Sequence, residues 1–177
     1  IVRDMYEAYA DAKEMVEIMA LPHEIQDAPL AHELKVSGGQ VEFNNLRFSF
    51  YETRTVLEDV SVTINTGEKI ALVGPSGAGK TTFVRLLLRL YSPTAGSILI
   101  DGQDISKVTQ ASLHKNISLV PQDPALFHRT LAENIAYGKP GASREEIQAV
   151  ARLAHCDEFI NMLPYGLETL VGERGIK

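Results

Sequence analysis

Cysteine is almost missing from this 177-residue chain. With Cys156 alone, no internal disulfide framework can form, and the usage suits a reducing compartment. On a helical pattern, such a thiol is expected to pack rather than react. Long apolar runs are missing too: no stretch approaches the roughly 20 residues that span a bilayer. The first residues are acidic, where a secretory signal carries basic residues ahead of an apolar run. The chain as given is therefore expected not to cross a membrane. Positive charge is the third deficit. Lys and Arg number 17 against 23 Asp and Glu, a net charge of -6, which argues against a broad nucleic-acid footprint and leaves room for one local basic pocket. With 45% hydrophobic and 23% charged residues, neither disorder nor a fibrous repeat is favoured. The length suits one ordinary domain with a sizeable core.

What is present is ordered along the chain. Residues 1–20 place Val2, Met5, Tyr9, Ala12, Val16 and Met19 at spacings of three and four, with Asp4, Glu7, Asp11, Glu14 and Glu17 on other faces. That pattern predicts an amphipathic helix. No capping residue opens it, so two readings stand: a helix packed on its own domain, or the tail of a longer helix entering from upstream. Residues 21–39, with Pro22 and Pro29 among mixed polar side chains, read as a linker. Period-two alternation over 41–43, 46–50 and 60–64 then predicts half-exposed antiparallel strands. Just before the first of them stands Ser37-Gly38-Gly39-Gln40, a string similar to a nucleotide-closing signature. In front of a strand, though, two glycines set up a turn.

Residues 69–73, Lys-Ile-Ala-Leu-Val, form a short apolar run without alternation, which predicts a strand covered on both faces in a parallel sheet. It leads into Gly74-Pro75-Ser76-Gly77-Ala78-Gly79-Lys80-Thr81-Thr82, the G-x-x-x-x-G-K-[ST] phosphate loop, with a helix expected over 82–91. Glycines at 77 and 79 let backbone N–H groups turn inward around phosphate oxygens, and the helix adds its positive dipole end. Lys80 reaches the β- and γ-phosphates, the Thr81 hydroxyl suits Mg2+, and Thr82 caps or packs. The alternative is a glycine turn with an unengaged lysine.

Residues 97–102 add a strand and turn, and 117–122 predict a further strand ending in Gln122. At the C-terminal edge of a strand in an open α/β sheet, a side-chain amide faces the ligand crevice. A loop glutamine facing solvent is the alternative. Ser143-Arg144-Glu145-Glu146 is a capping-box pattern opening a helix whose Ile147, Val150, Leu153 and Ala154 form one apolar face, continuing towards Phe159 and Met162. His155, beside Cys156, and the scattered His23, His32, His114 and His128 lack zinc-ligand spacing.

Three ordered stretches carry a family resemblance: the loop from Gly74 to Thr82, Leu-Val-Pro-Gln-Asp-Pro-Ala-Leu-Phe over 119–127, and Val-Gly-Glu-Arg-Gly over 171–175. Together they resemble the nucleotide-binding domain of ABC transporters, especially the exporter type, over residues 40–177. The resemblance implies an α/β P-loop NTPase core with an antiparallel β subdomain, an incomplete domain at 40–177 behind the 21–39 linker. The amphipathic helix at 1–20 looks like the cytoplasmic end of a last transmembrane helix. ATP and Mg2+ are the implied cofactors. Lys80 and Gln122 fall at catalytic positions, Thr81 and Gln122 at the metal, and Gly74, Pro75, Ser76, Gly77, Ala78, Gly79, Lys80, Thr81 and Thr82 around the nucleotide. Phe50 falls where the family places an adenine-stacking aromatic, with Tyr51 beside it. Stacking needs only a π-face, so which ring is used stays open, as does local packing of either.

The implied partners are a transmembrane domain of the same or a partner chain and a second nucleotide-binding domain, with no nucleic acid, at the cytoplasmic face of a membrane. Glu173-Arg174-Gly175 looks like the family's X-loop, after which the L-S-G-G-Q signature follows. The chain as given stops at Lys177, so Ser37 to Gln40 is expected to be a decoy made by turn chemistry. The piece is likewise expected to lack the signature, the Walker B aspartate, the catalytic glutamate and the switch histidine, and so to be catalytically incomplete, with uncovered apolar surface and marginal stability or association. A soluble P-loop ATPase or kinase and a noncatalytic nucleotide-binding module remain as other classes.

Overall fold

Alternation becomes two long strands, β1 (Val41–Tyr51) and β2 (Arg54–Ile64), paired antiparallel with Val41 opposite Ile64 and Phe48 opposite Leu57. The other edge of β1 pairs antiparallel with β3 (Ala95–Ile100), which turns back into the short β4 (Gln103–Asp104). The sheet order is β2-β1-β3-β4. These elements come from a computed structural model that describes residues 9, 12, 13, 15–21, 25–51, 54–172 and 175. The chain divides into two compact units, Ile1–Ser118 and Leu119–Lys177.

In the first unit, Phe43, Leu46 and Phe48 of β1 are buried with Ile98 and Ile100 of β3. Onto them packs α1 (Lys80–Leu87), whose Phe83 stacks on Phe43 with ring centroids 4.1 Å apart. Leu113 of α2 (Gln110–Asn116) and Val108 close the core. The strand register slips around Asn44 and Asn45, where Asn45 takes a φ of 45°. Gly96 faces this bulge at φ 82°, and a Cβ there would stand 2.4 Å from the carbonyl oxygens of Asn44 and Asn45, so no other residue fits.

α1 ends earlier than the expected 91. Arg89 adopts φ 52°, its N–H donates to the Leu86 carbonyl at 2.9 Å, and Leu90 N–H reaches the Arg85 carbonyl at 2.9 Å. That is a Schellman cap with arginine where glycine is usual, at a conformational cost of about 1–2 kcal/mol.

Two expected strands do not form. Residues 69–73 and 117–122 lie outside every strand, with Ile70, Leu72, Leu119 and Val120 exposed and Val73 92% exposed. A strand exists only through lateral hydrogen bonds, and among the described residues none supplies a neighbouring ladder to either segment. At the N-terminus, the described residues 12, 13 and 15–19 are helical as expected. Tyr9, Val16 and Met19 are exposed rather than packed on the domain, while Val2, Met5, Asp4, Glu7, Asp11 and Glu14 of that pattern lie outside the described residues.

The second unit contains α3 (Leu131–Ala136), α4 (Arg144–Leu153), α5 (Asp157–Met162) and a 3-10 turn at Gly166–Glu168. The capping box at Ser143 forms as expected: its hydroxyl accepts from Glu146 N–H at 3.3 Å, while the Glu146 carboxylate accepts from Ser143 N–H at 2.9 Å. Thr130 and Glu133 make a second box. The expected apolar face of α4 is corrected. Ile147 and Ala151 are buried, whereas Val150 and Leu153 are exposed. Phe159 and Met162 do not continue that face, because His155 turns to φ 54° and ends the helix, so α5 restarts in a new phase and buries Ile160. Cys156 packs at the edge of this second core, as a structural thiol should.

The string at 37–40 is a turn, and it has a purpose. The Asp101 carboxylate accepts N–H bonds from Ser37 at 2.7 Å, Gly38 at 2.9 Å, Gly39 at 3.0 Å and Gln40 at 2.9 Å. The four amides form a concave anion nest already filled from within the chain. The amides of Gly39, Gly38 and Ser37, in that order, hold the Asp101 carboxyl far below the ordinary carboxylate range. A depressed folded-state pKa stabilises above the unfolded value of roughly 4 and is lost as pH falls below it. Asp101→Asn should therefore lower the thermal midpoint at pH 7, and the difference from the parent chain should shrink as both are acidified below about pH 4. Unfolding curves across that range check this.

Candidate functional site

The phosphate loop is shaped by two glycines and by the strand beneath it. Gly77 and Gly79 take φ values of 83° and 85°, a region closed to most side chains. Gly79 is also the N-cap of α1 and lies against β2: a Cβ there would meet Leu57 Cδ2 at 3.0 Å and Val56 Cγ1 at 3.1 Å. The helix therefore begins directly over the start of β2. Its first turn carries no acidic residue and no side-chain cap, so the unpaired N–H groups and the positive dipole end remain available for an anion. Thr82 is buried, as expected for a packing residue, and Thr81 is exposed at the helix start. The Lys80 ammonium folds back over the loop, donating to the carbonyls of Gly74 and Pro75, both at 2.8 Å.

A cavity of about 570 Å3 opens beside this loop, lined by Ser76 through Thr82 on one side and by Phe50, Arg54, Thr55 and Val56 on the other. Its volume falls within the roughly 300–1,000 Å3 typical of small-molecule sites. Phe50 is 43% exposed and held edge-on by Phe48 and Tyr91, at centroid distances of 4.9 and 5.4 Å. Tyr51 is 77% exposed and lines a second, more open depression with Arg47 and Thr94, which Phe50 and Thr55 also border. The structure thus brings Phe50, and not Tyr51, to the loop's cavity. Among the described residues, no carboxylate lines it.

Arg54, Thr55 and Val56 were not singled out in the sequence. The available signal was the hairpin itself, since the start of β2 follows the Phe50-Tyr51 corner. Gln122 lies in the second unit, on an exposed bend rather than at a strand edge. Of the stretch resembling the X-loop, Gly172 and Gly175 exchange two backbone bonds of 2.9 and 3.0 Å, while Glu173 and Arg174 lie outside the described residues. The second unit has a cavity of about 260 Å3 at α4 and α5. Its Arg144 is paired with Glu168 at 3.1 Å, and Asp157 lines it opposite in charge to Arg152, so it has little net charge to offer a phosphate.

A glycine turn at a helix start, a lysine folded over it and an aromatic across the cavity define a phosphate-loop nucleotide-binding fold. The model of the ABC transporter family matches residues 57–171; the chain belongs to that family. ATP-binding cassette sub-family B member 6 of Homo sapiens is 47% identical over 169 residues, covering 96% of this chain and 20% of that protein. An ATM1-type heavy metal exporter of Novosphingobium aromaticivorans is 45% identical over 177 residues, covering 100% of this chain and 29% of the relative. A solved bacterial Atm1-family ABC exporter with ATP bound superposes with a TM-score of 0.87 at 45% identity, over 98% of this chain and 31% of that one. The chain thus spans less than a third of the length of these relatives.

Because Gly79 combines positive φ with contact to β2, Gly79→Ala should destabilise the first unit by about 1–3 kcal/mol. Gly39→Ala, at φ 78° with open space around it, should cost only the conformational part. Denaturant unfolding of the two variants separates strain from collision.

Proposed function

We propose that this chain is the ATP-binding part of an exporter whose intact form couples ATP binding and hydrolysis to transmembrane transport at the cytoplasmic face of a membrane. The supporting observation is the shared cavity: the phosphate loop and Phe50 face it together, at a size suited to a nucleotide. The loop amides and Lys80 hold the phosphates, with the Lys80 ammonium exchanging two backbone carbonyls for phosphate oxygens. Phe50 stacks on the base, leaving Tyr51 outside. Among the described residues no group of three His, Cys, Asp or Glu side chains converges as a metal site. The Thr81 hydroxyl, the phosphates and water would therefore be among the oxygens that Mg2+ takes, which suits a hard cation reluctant to lose its hydration. When bound, it neutralises charge on the transferring phosphoryl group.

By the family resemblance, we assign Gln122 to the metal and the attacking water. The partners are a transmembrane domain and a second nucleotide-binding domain, on the same or another chain. The 177 residues alone should bind nucleotide without turning it over.

Titration with magnesium–ATP tests the binding. Phe50→Ala should weaken affinity by about 1–3 kcal/mol, roughly 5- to 150-fold, while Tyr51→Ala leaves it nearly unchanged. The reverse ranking would overturn the assignment of the base, and no saturable signal would overturn the nucleotide reading. Steady-state phosphate release should stay at background for the 177-residue chain, and full magnesium-dependent turnover would refute its catalytic incompleteness.

A further inference from the structure

We propose that Arg89 is a positioning residue that ties the far end of the phosphate-loop helix to residues 25–36, so that nucleotide held at the start of α1 is registered in the segment leading back to the N-terminal helix. The inference rests on the nucleotide reading above. α1 spans Lys80–Leu87, about 12 Å of helix, with the loop at one end and the Arg89 cap at the other. Over so short a rigid element, a displacement at the loop is carried to the cap.

The Arg89 side chain is 7% exposed. Its Nη1 donates to the Val108 carbonyl at 2.7 Å and to Asp27 Oδ1 at 3.4 Å, and its Nη2 donates to the Gln26 carbonyl at 2.8 Å. Asp27 in turn accepts from Gln110 N–H at 2.9 Å, and the Gln110 side-chain amide donates to the Ile25 carbonyl at 3.0 Å. Further along, Thr109 N–H donates to the His32 carbonyl at 2.9 Å and Leu34 N–H to Ser112 Oγ at 2.9 Å. Residues 25–36, a linker by composition, are therefore strapped to the rest of the first unit, and the Arg89 guanidinium joins the strap to the end of α1.

Backbone conformation sharpens the point. At φ 52° glycine would serve the cap as well, so the arginine is explained by its side chain rather than by the helix end, and an outlier of this kind is a legitimate start for a functional hypothesis. A planar fork reaching three acceptors is also something lysine does not reproduce.

Amide hydrogen exchange on the full chain, with and without saturating magnesium–ATP, tests this. Arg89→Gly keeps the positive-φ cap while deleting the guanidinium. In the parent chain, nucleotide should slow exchange at Leu34, Thr109 and Gln110 by ~5-fold or more. In Arg89→Gly those amides should exchange faster and lose their response to nucleotide, although ATP affinity stays within about twofold, well under the tenfold that 1.4 kcal/mol represents. Arg89→Lys should restore only part of the response. A purely structural tie would raise exchange equally in both states, and that unchanged ratio overturns the proposal, as does a parent chain that binds ATP saturably without any change at the strap. Should Arg89→Gly fail to fold, an undiminished ratio in Arg89→Lys is equally fatal. Absence of saturable binding would overturn this inference and the nucleotide reading together.

Discussion

The contact between Gly79 and β2 is the constraint from which the first unit's site follows. Without a Cβ, the N-cap of α1 comes down onto Val56 and Leu57, and only at that distance does Phe83 reach Phe43 for a stacked pair. Burying such a side chain contributes roughly 1.5–3 kcal/mol, and the stacking about 0.5–1.5 kcal/mol more. Together these exceed the 0.5–1 kcal/mol or so that a glycine costs in backbone entropy. The same descent sets the loop beside the start of β2, which is why Phe50 at the end of β1 faces it across one cavity. The phosphate loop is thus positioned by core packing rather than by its own glycines, which only permit the bend.

Two charged residues do comparable work on the preceding segment. Asp101 at φ 48° and Arg89 at φ 52° both occupy left-handed backbone positions, and both direct their side chains at residues 25–40. Asp101 collects four amides at 37–40, and Arg89 holds the Gln26 carbonyl and the Asp27 carboxylate. In each case a charge is matched by backbone groups, the pairing that makes such groups acceptable at the edge of a core.

Legibility in the sequence followed the range of the signal. Alternation over 41–50 and 60–64, the glycine loop, the Ser143 capping box and the turn chemistry of 37–40 are read within a few residues, and each appears where expected. The failures share one cause, dependence on distant partners. Residues 69–73 and 117–122 have the composition of buried strands, but composition states a demand for neighbours and cannot supply them. The polar residues of 21–39 suggested a loose linker because Asp27 and Gln26 meet Arg89, some sixty positions on, only in three dimensions. On α4, Val150 and Leu153 fit the helical period as well as Ala151 does, and nothing in the period alone says which stripe the second core covers. Phe50 over Tyr51 was equally undecidable, since adjacent strand residues face opposite sides and the choice depends on where the loop ends up.

This difference in range also divides the chemistry. Lys80 and Thr81 stand at a helix start packed on β2 within the first unit, so the shape of the loop is set there. Gln122 sits in the second unit on an irregular, exposed segment, and its orientation is set by no hydrogen-bonded ladder. Catalytic groups act through placement to within fractions of an ångström. On the proposed reading, binding would rest on the helix start of the first unit, whereas hydrolysis would depend on what orders Gln122.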